Sequence, residues 1–119
     1  MSRYKKSFGE KGEELAAEYL KSLGYEIIQR NYRFGHGEID IIAKDKETLV
    51  FVEVKTRENL KFGPPELAIT KKKQRQIKKI GEAYLYENNI SDTQCRIDVI
   101  AILMERNKQP KLNHIINAF

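Results

Sequence analysis

Three charged residues interrupt the most apolar stretch of the chain. Between Gly37 and Arg57 the sequence reads Gly-Glu-Ile-Asp-Ile-Ile-Ala, a short polar tip, then Leu-Val-Phe-Val-Glu-Val-Lys-Thr-Arg. β-Branched and aromatic residues favour buried strands here, yet Asp40, Glu53 and Lys55 lie among them. An ionised side chain is costly to bury unless it is paired or binds a metal. Strand alternation puts Phe51, Glu53 and Lys55 on one face and Val50, Val52 and Val54 on the other. If the two strands pair through a turn at residues 44–48, Asp40 comes close to Glu53. Two carboxylates meeting across strands repel unless a cation lies between them, and hard oxygen ligands suit Mg2+. The alternative is a Glu-Lys ion pair on a half-exposed face, since a bare Glu-x-Lys tripeptide matches by chance. This one is the only Glu-x-Lys in the chain, and it closes the most apolar strand.

The elements that must position these groups are legible in outline. Residues 7–23 read as a helix, with Ser7-x-x-Glu10 at capping-box spacing, Gly24 as a stop, and an apolar stripe centred near Tyr19. Of its acids, Glu13 points closest to that stripe, while Glu10 and Glu14 point away. Residues 25–33 read as a strand with a basic end, and Gly35-His36-Gly37 as the turn into the Asp40 strand. Glu38 shares a strand face with Asp40, as a metal-shell candidate or a solvated strand-start carboxylate.

After Arg57 a segment with Gly63, Pro64 and Pro65 excludes regular structure and reads as a surface loop, placing Arg57 and Lys61 near the charged strand end. A second helix spans 70–87, with Lys73, Ile77, Ile80, Tyr84 and Leu85 on one face and Lys71, Lys72, Arg75, Lys78 and Lys79 on the other. Such a basic face binds phosphates or is simply solvated. Lys73 lies in the apolar stripe, so its ammonium needs a carboxylate, a phosphate or water. Residues 96–104 read as a strand buried on both faces, in which Asp98 calls for a partner such as an arginine. Residues 112–119 read as an edge strand.

An acidic residue on one strand followed by Glu-x-Lys on the next resembles the PD-(D/E)XK nuclease superfamily, which includes Holliday-junction resolvases and type II restriction enzymes. The set Gly12-Glu13-x-x-Ala16, Gly24-Tyr25, Arg30-Asn31-Tyr32-Arg33, Gly37-Glu38-Ile39-Asp40, Phe51-Val52-Glu53-Val54-Lys55-Thr56-Arg57, Phe62-Gly63 and Asn117-Ala118-Phe119 resembles the YraN-like family of small bacterial proteins. The resemblance spans nearly the whole chain. It implies an α/β restriction-endonuclease-like core, a mixed sheet flanked by helices in the order α-β-β-β-α-β-β. It further implies Mg2+, or Mn2+, held by Asp40, Glu53 and the main-chain carbonyl of Val54, with Glu13 turned toward the metal and Lys55 as a catalytic cation. Arg57, Lys61, Lys73 and, less closely matched, Gln76 would then contact nucleic acid, with DNA as the expected substrate and a homodimer as a plausible assembly. The competing class is a nucleic-acid-binding module that keeps the nuclease scaffold without catalysis.

Composition narrows the rest. A length of 119 residues suits one domain. Lys and Arg number 22 against 17 Asp and Glu, giving a net charge of +5 and a mild bias toward polyanions. Cys95 is the only cysteine and there are two histidines, which excludes an intramolecular disulfide and a four-ligand zinc site of Cys and His. The longest wholly apolar run, Val99 to Met104, is too short to span a bilayer, and no apolar segment follows the charged N-terminus. A cytoplasmic protein with no membrane partner is expected.

Overall fold

The computed structural model describes residues 3–61, 63, 64, 66 and 69–119. Phe62, one of the motif residues, lies outside them. The elements are α1 (Arg3–Ser22), β1 (Glu26–Phe34), β2 (Gly37–Asp45), β3 (Thr48–Arg57), α2 (Lys71–Glu87), β4 (Cys95–Leu103) and β5 (Lys111–Ile115). They form one five-stranded sheet in the order β1-β2-β3-β4-β5, antiparallel except for the β3–β4 pair. Parallel neighbours cannot be joined by a tight turn, and the β3-to-β4 connection carries α2 across the sheet. The mixed α/β architecture and the element order match the expectation.

Each helix covers one face, and the strand alternation decides which residues it meets. Ala16, Ala17 and Leu20 of α1 pack with Ile41, Ala43, Val50, Val52, Ile100 and Ile102. Ile77, Ile80 and Tyr84 of α2 pack with Ile42, Leu49, Phe51 and Ile97. Full burial of each such aliphatic side chain is worth about 1.5–3 kcal/mol, so these two layers fix the helices on the sheet. Val50 and Val52 thus face α1 and Phe51 faces α2, as the alternation requires. α1 approaches β3 so closely at Gly12 that a Cβ there would collide with Thr56 Oγ1. The β2–β3 hairpin turns at Lys46 and Glu47, with Lys46 at φ 55°.

Two boundaries and the centre of one buried stripe differ from the sequence reading. α1 begins at Arg3, so Ser7 lies inside the helix and is not its cap; residues 3–6 contain no breaker, and the helix continues through them. The buried stripe of α1 centres on Ala16 and Leu20 rather than on Tyr19, which is half-buried. β5 ends at Ile115 instead of continuing to Phe119. Asn117 takes φ 54°, the Ala118 N–H turns back to donate to Ile97 O at 2.7 Å, and Phe119 packs beside the α2 layer. Thr70, as expected of a helix start at that point, caps α2 by accepting from the Lys73 N–H at 3.1 Å.

A buried polar network ties β4 and β5 to α1. Asp98, with no exposed surface, accepts from Arg96 Nε at 3.0 Å and Nη2 at 3.3 Å and from the Asn117 N–H at 3.0 Å. His114 Nε2 lies 2.8 Å from Asp98 Oδ2, and because an ionised carboxylate only accepts, Nε2 carries the proton. The His114 Nδ1 faces the Tyr19 hydroxyl at 3.1 Å. Arg96 also reaches Asp45 at 3.1 Å and the Tyr25 hydroxyl at 2.6 Å. The arginine expected for Asp98 is therefore Arg96, two residues earlier on the same strand.

Candidate metal centre

The sheet comes apart at Asp40. The β2–β3 ladder runs from Asp45 opposite Thr48 to Ile41 opposite Val52 and stops there, while the β1–β2 ladder passes from Ile41 to Ile39 and skips Asp40. Opposite the skip, Asn31 of β1 has φ 53°. Ile41 belongs to the α1 layer and Ile39, two residues earlier, to the α2 layer. Residues two apart on a regular strand share a face, so the strand rotates at Asp40. This rotation lets one carboxylate meet side chains from both layers. In place of a ladder partner, Asp40 Oδ2 accepts the Val54 N–H at 2.8 Å.

Four carboxylates converge. Glu13 from α1, Glu38 and Asp40 each offer an oxygen within 4.8 Å of the others'. Glu53 joins through Asp40, whose carboxyl its charge is close enough to perturb. Asp40 and Glu53 are both buried. Burial first, then the adjacent Glu53 charge, pushes the Asp40 carboxyl up to about 8, with the Val54 N–H opposing. Burial also raises Glu13 above its ordinary value, opposed by a hydrogen bond from Asn31 and reinforced by the charges of Asp40 and Glu38.

The surroundings supply few cations. Lys73 Nζ of α2 lies 3.5 Å from Glu53 Oε2. The exposed Arg33 donates from Nε to Glu38 Oε2 at 3.2 Å, and Asn31 Nδ2 donates to Glu13 Oε1 at 2.9 Å. Lys55 is half-buried on the strand face of Glu53, yet among the described residues Glu53's ion pair is with Lys73 and none joins it to Lys55. The Glu53–Lys55 ion pair, the alternative reading of this motif, is not formed. Val54 faces the α1 layer and contributes its main chain to the site. Gln76 packs its amide over Gly37, where a Cβ would lie 2.7 Å from Nε2, and so borders Glu38. Arg57, at the end of β3, is half-buried with its Nε buried and without a hydrogen-bond partner among the described residues. Lys61 is exposed in the loop that follows.

A family model described as "Uncharacterised protein family UPF0102" matches residues 12–102. A UPF0102 protein of Geobacter sulfurreducens is 50% identical over 118 residues, covering 99% of this chain and 92% of the relative. One from Geobacter metallireducens is 49% identical over 119 residues, covering 100% and 97%, and one from Caldicellulosiruptor saccharolyticus is 47% identical over 116, covering 97% and 98%. The chain belongs to the UPF0102 family. The YraN-like resemblance is thereby confirmed at the level of the family. The segment matched by the UPF0102 model runs from Gly12 to Ile102 and contains Glu13, Asn31, Glu38, Asp40, Glu53, Lys55, Lys73 and Gln76; His114 lies beyond it.

One participant escaped the sequence reading and a second was left open by it. Asn31 was part of a motif without a role; an asparagine inside a strand is the available signal, because it tolerates positive φ and marks an irregularity. Glu38, which alternation left between a ligand and a solvated carboxylate, stands in the acidic trio. Its position relative to Glu13 follows from the packing of α1, which alternation along β2 does not describe. Among the described residues no helix is long and apolar enough to cross a membrane.

Proposed function

We propose that this chain is a metal-dependent nuclease of restriction-endonuclease-like fold, within the PD-(D/E)XK superfamily, that hydrolyses phosphodiester bonds of DNA, branched or repair intermediates included. The observation that carries the reading is the burial of Asp40 and Glu53 together, beside Glu13 and Glu38. Like charges gathered out of water are unfavourable without a cation, and an all-carboxylate donor set fits Mg2+ or Mn2+. Asp40 and Glu53, with the main-chain carbonyl of Val54, would hold the ion, and Glu13 and Glu38 would complete its surroundings. When bound, it lowers the pKa of a coordinated water and polarises the phosphoryl oxygen.

The other residues then have separable tasks. Lys55, on the face of Glu53 and not neutralised by it, orients the attacking water and opposes charge building on the phosphorane oxygens. Arg57 and Lys61 follow it along the chain and serve the phosphate backbone. Gln76 borders the start of β2 and offers an amide to the substrate at that rim. Single-stranded, duplex, flapped and four-way DNA incubated with Mg2+ or Mn2+, beside Glu53→Ala, tests the reading. Cleavage by wild type and none by the variant is expected; equal products from both would remove the enzyme claim. Salt-sensitive binding without cleavage would instead support the non-catalytic module, for which the exposed Lys71, Lys72, Arg75, Lys78 and Lys79 face of α2 is suited.

A further inference from the structure

Lys73 is oddly placed for a solvated lysine. It lies in the first turn of α2, where Lys71-Lys72-Lys73 is accompanied by no acidic residue. The helix dipole opposes cations there. Lys71 and Lys72 are exposed, but Lys73 lies on the sheet-facing side, its side chain only 33% exposed and its Nζ 3.5 Å from Glu53 Oε2. Glu53 is 6% exposed at its side chain, so this ammonium stands where a cation is otherwise missing. Lys55, nearer in sequence, does not take that role. A monovalent cation tethered by a flexible stem satisfies Glu53 only until a divalent ion arrives, because two cations on one carboxylate repel.

We propose that Lys73 is a built-in counter-ion of Glu53 that competes with the divalent ion and, once displaced, passes its ammonium to a phosphate of the nucleic acid. This rests on the metal-dependent reading of the site and adds to it an exchange. The ion and Lys73 occupy Glu53 in turn, so metal loading and one backbone contact are coupled. The stem is long enough to turn outward from a one-third-exposed position, and an ammonium released beside a metal and three further carboxylates finds its next anion in the substrate. Lys73 is thus a positioning residue for Glu53 in the metal-free protein and a phosphate contact in the loaded one.

The test compares wild type, Lys73→Met and Lys73→Arg for Mn2+ binding by calorimetry and for melting temperature in chelator. Removing a unit charge from beside a divalent-ion site should tighten Mn2+ binding by about tenfold in Lys73→Met, with Lys73→Arg near wild type. Metal-free Lys73→Met should melt lower than wild type and recover when Mn2+ is added. In a Lys55→Ala background, the salt dependence of binding to a single-stranded oligonucleotide should lose about 0.7 from its log–log slope on Lys73→Met with Mn2+ and nothing without it. Mn2+ binding of equal or weaker affinity in Lys73→Met overturns this inference and leaves the nuclease reading standing. A slope lowered equally with and without Mn2+, or not at all, overturns the hand-over to phosphate. No Mn2+ binding by any of the three chains overturns the inference and the metal site together.

Discussion

Asp98 and Glu53 lie on neighbouring strands, in register with Val52 and Val99 respectively, and both are buried, yet the protein treats them in opposite ways. Asp98 faces α1 and has a donor for each lone pair that matters: Arg96 twice, His114 and the Asn117 N–H. Glu53 faces α2, lies close enough to Asp40 to perturb it, and has one lysine at 3.5 Å against a group that includes two further acids. The first cluster is satisfied by the chain itself and holds β5 and α1 in place. The second is short of positive charge, and the proposed metal ion would supply it.

Breaking the satisfied cluster should produce the largest effect. Arg96→Met leaves Asp98 buried without its main partner and should cost about 3–5 kcal/mol in urea unfolding. A loss under about 1 kcal/mol would show that the two clusters are not different in kind. Lys55→Ala addresses the other side. It should lower cleavage by about 10²–10³-fold, with unfolding free energy changed by less than about 0.5 kcal/mol, since Lys55 carries no ion pair to Glu53.

The pH dependence sharpens the contrast further. Asp40 is raised in the folded state from 3.8 to about 8, so between those values the native protein binds the proton more tightly than the unfolded chain. Its contribution is complete below the unfolded pKa and disappears as pH rises through the folded one. Metal-free protein should therefore lose stability from about pH 4 to about pH 8. Asp40→Asn, which cannot ionise, should flatten that slope, and thermal melts of the two chains in chelator across the window decide it. The smallest effect is expected at Asn31→Gly. The substitution keeps the positive φ but removes the 2.9 Å hydrogen bond to Glu13, and equilibrium unfolding should register a loss of about 0.5–1.5 kcal/mol.

Much of the scaffold is local in origin and was legible for that reason. The 3.6-residue period marked both helices, and alternation correctly gathered Phe51, Glu53 and Lys55 opposite Val50, Val52 and Val54. The start of α1 was missed because Ser7 has the chemistry of a cap while nothing before it stops a helix. The last strand was drawn too long because Leu112 to Phe119 carries a strand-like pattern, and only the return of Ala118 to Ile97 shows where pairing gives way.

By itself the sequence determined the order of elements, the family and the presence of carboxylates in strands that ought to be buried, because these depend on residue type and near-neighbour spacing. Tertiary structure alone decided which of those carboxylates are neutralised. Arg96 reaches Asp98 within its own strand, but Glu13 meets Asp40 only because Gly12 lets α1 lie against Thr56. Lys73 meets Glu53 only because α2 crosses the same face. Charge compensation is a matter of a few ångströms between segments far apart in the chain, and no local pattern specifies that distance.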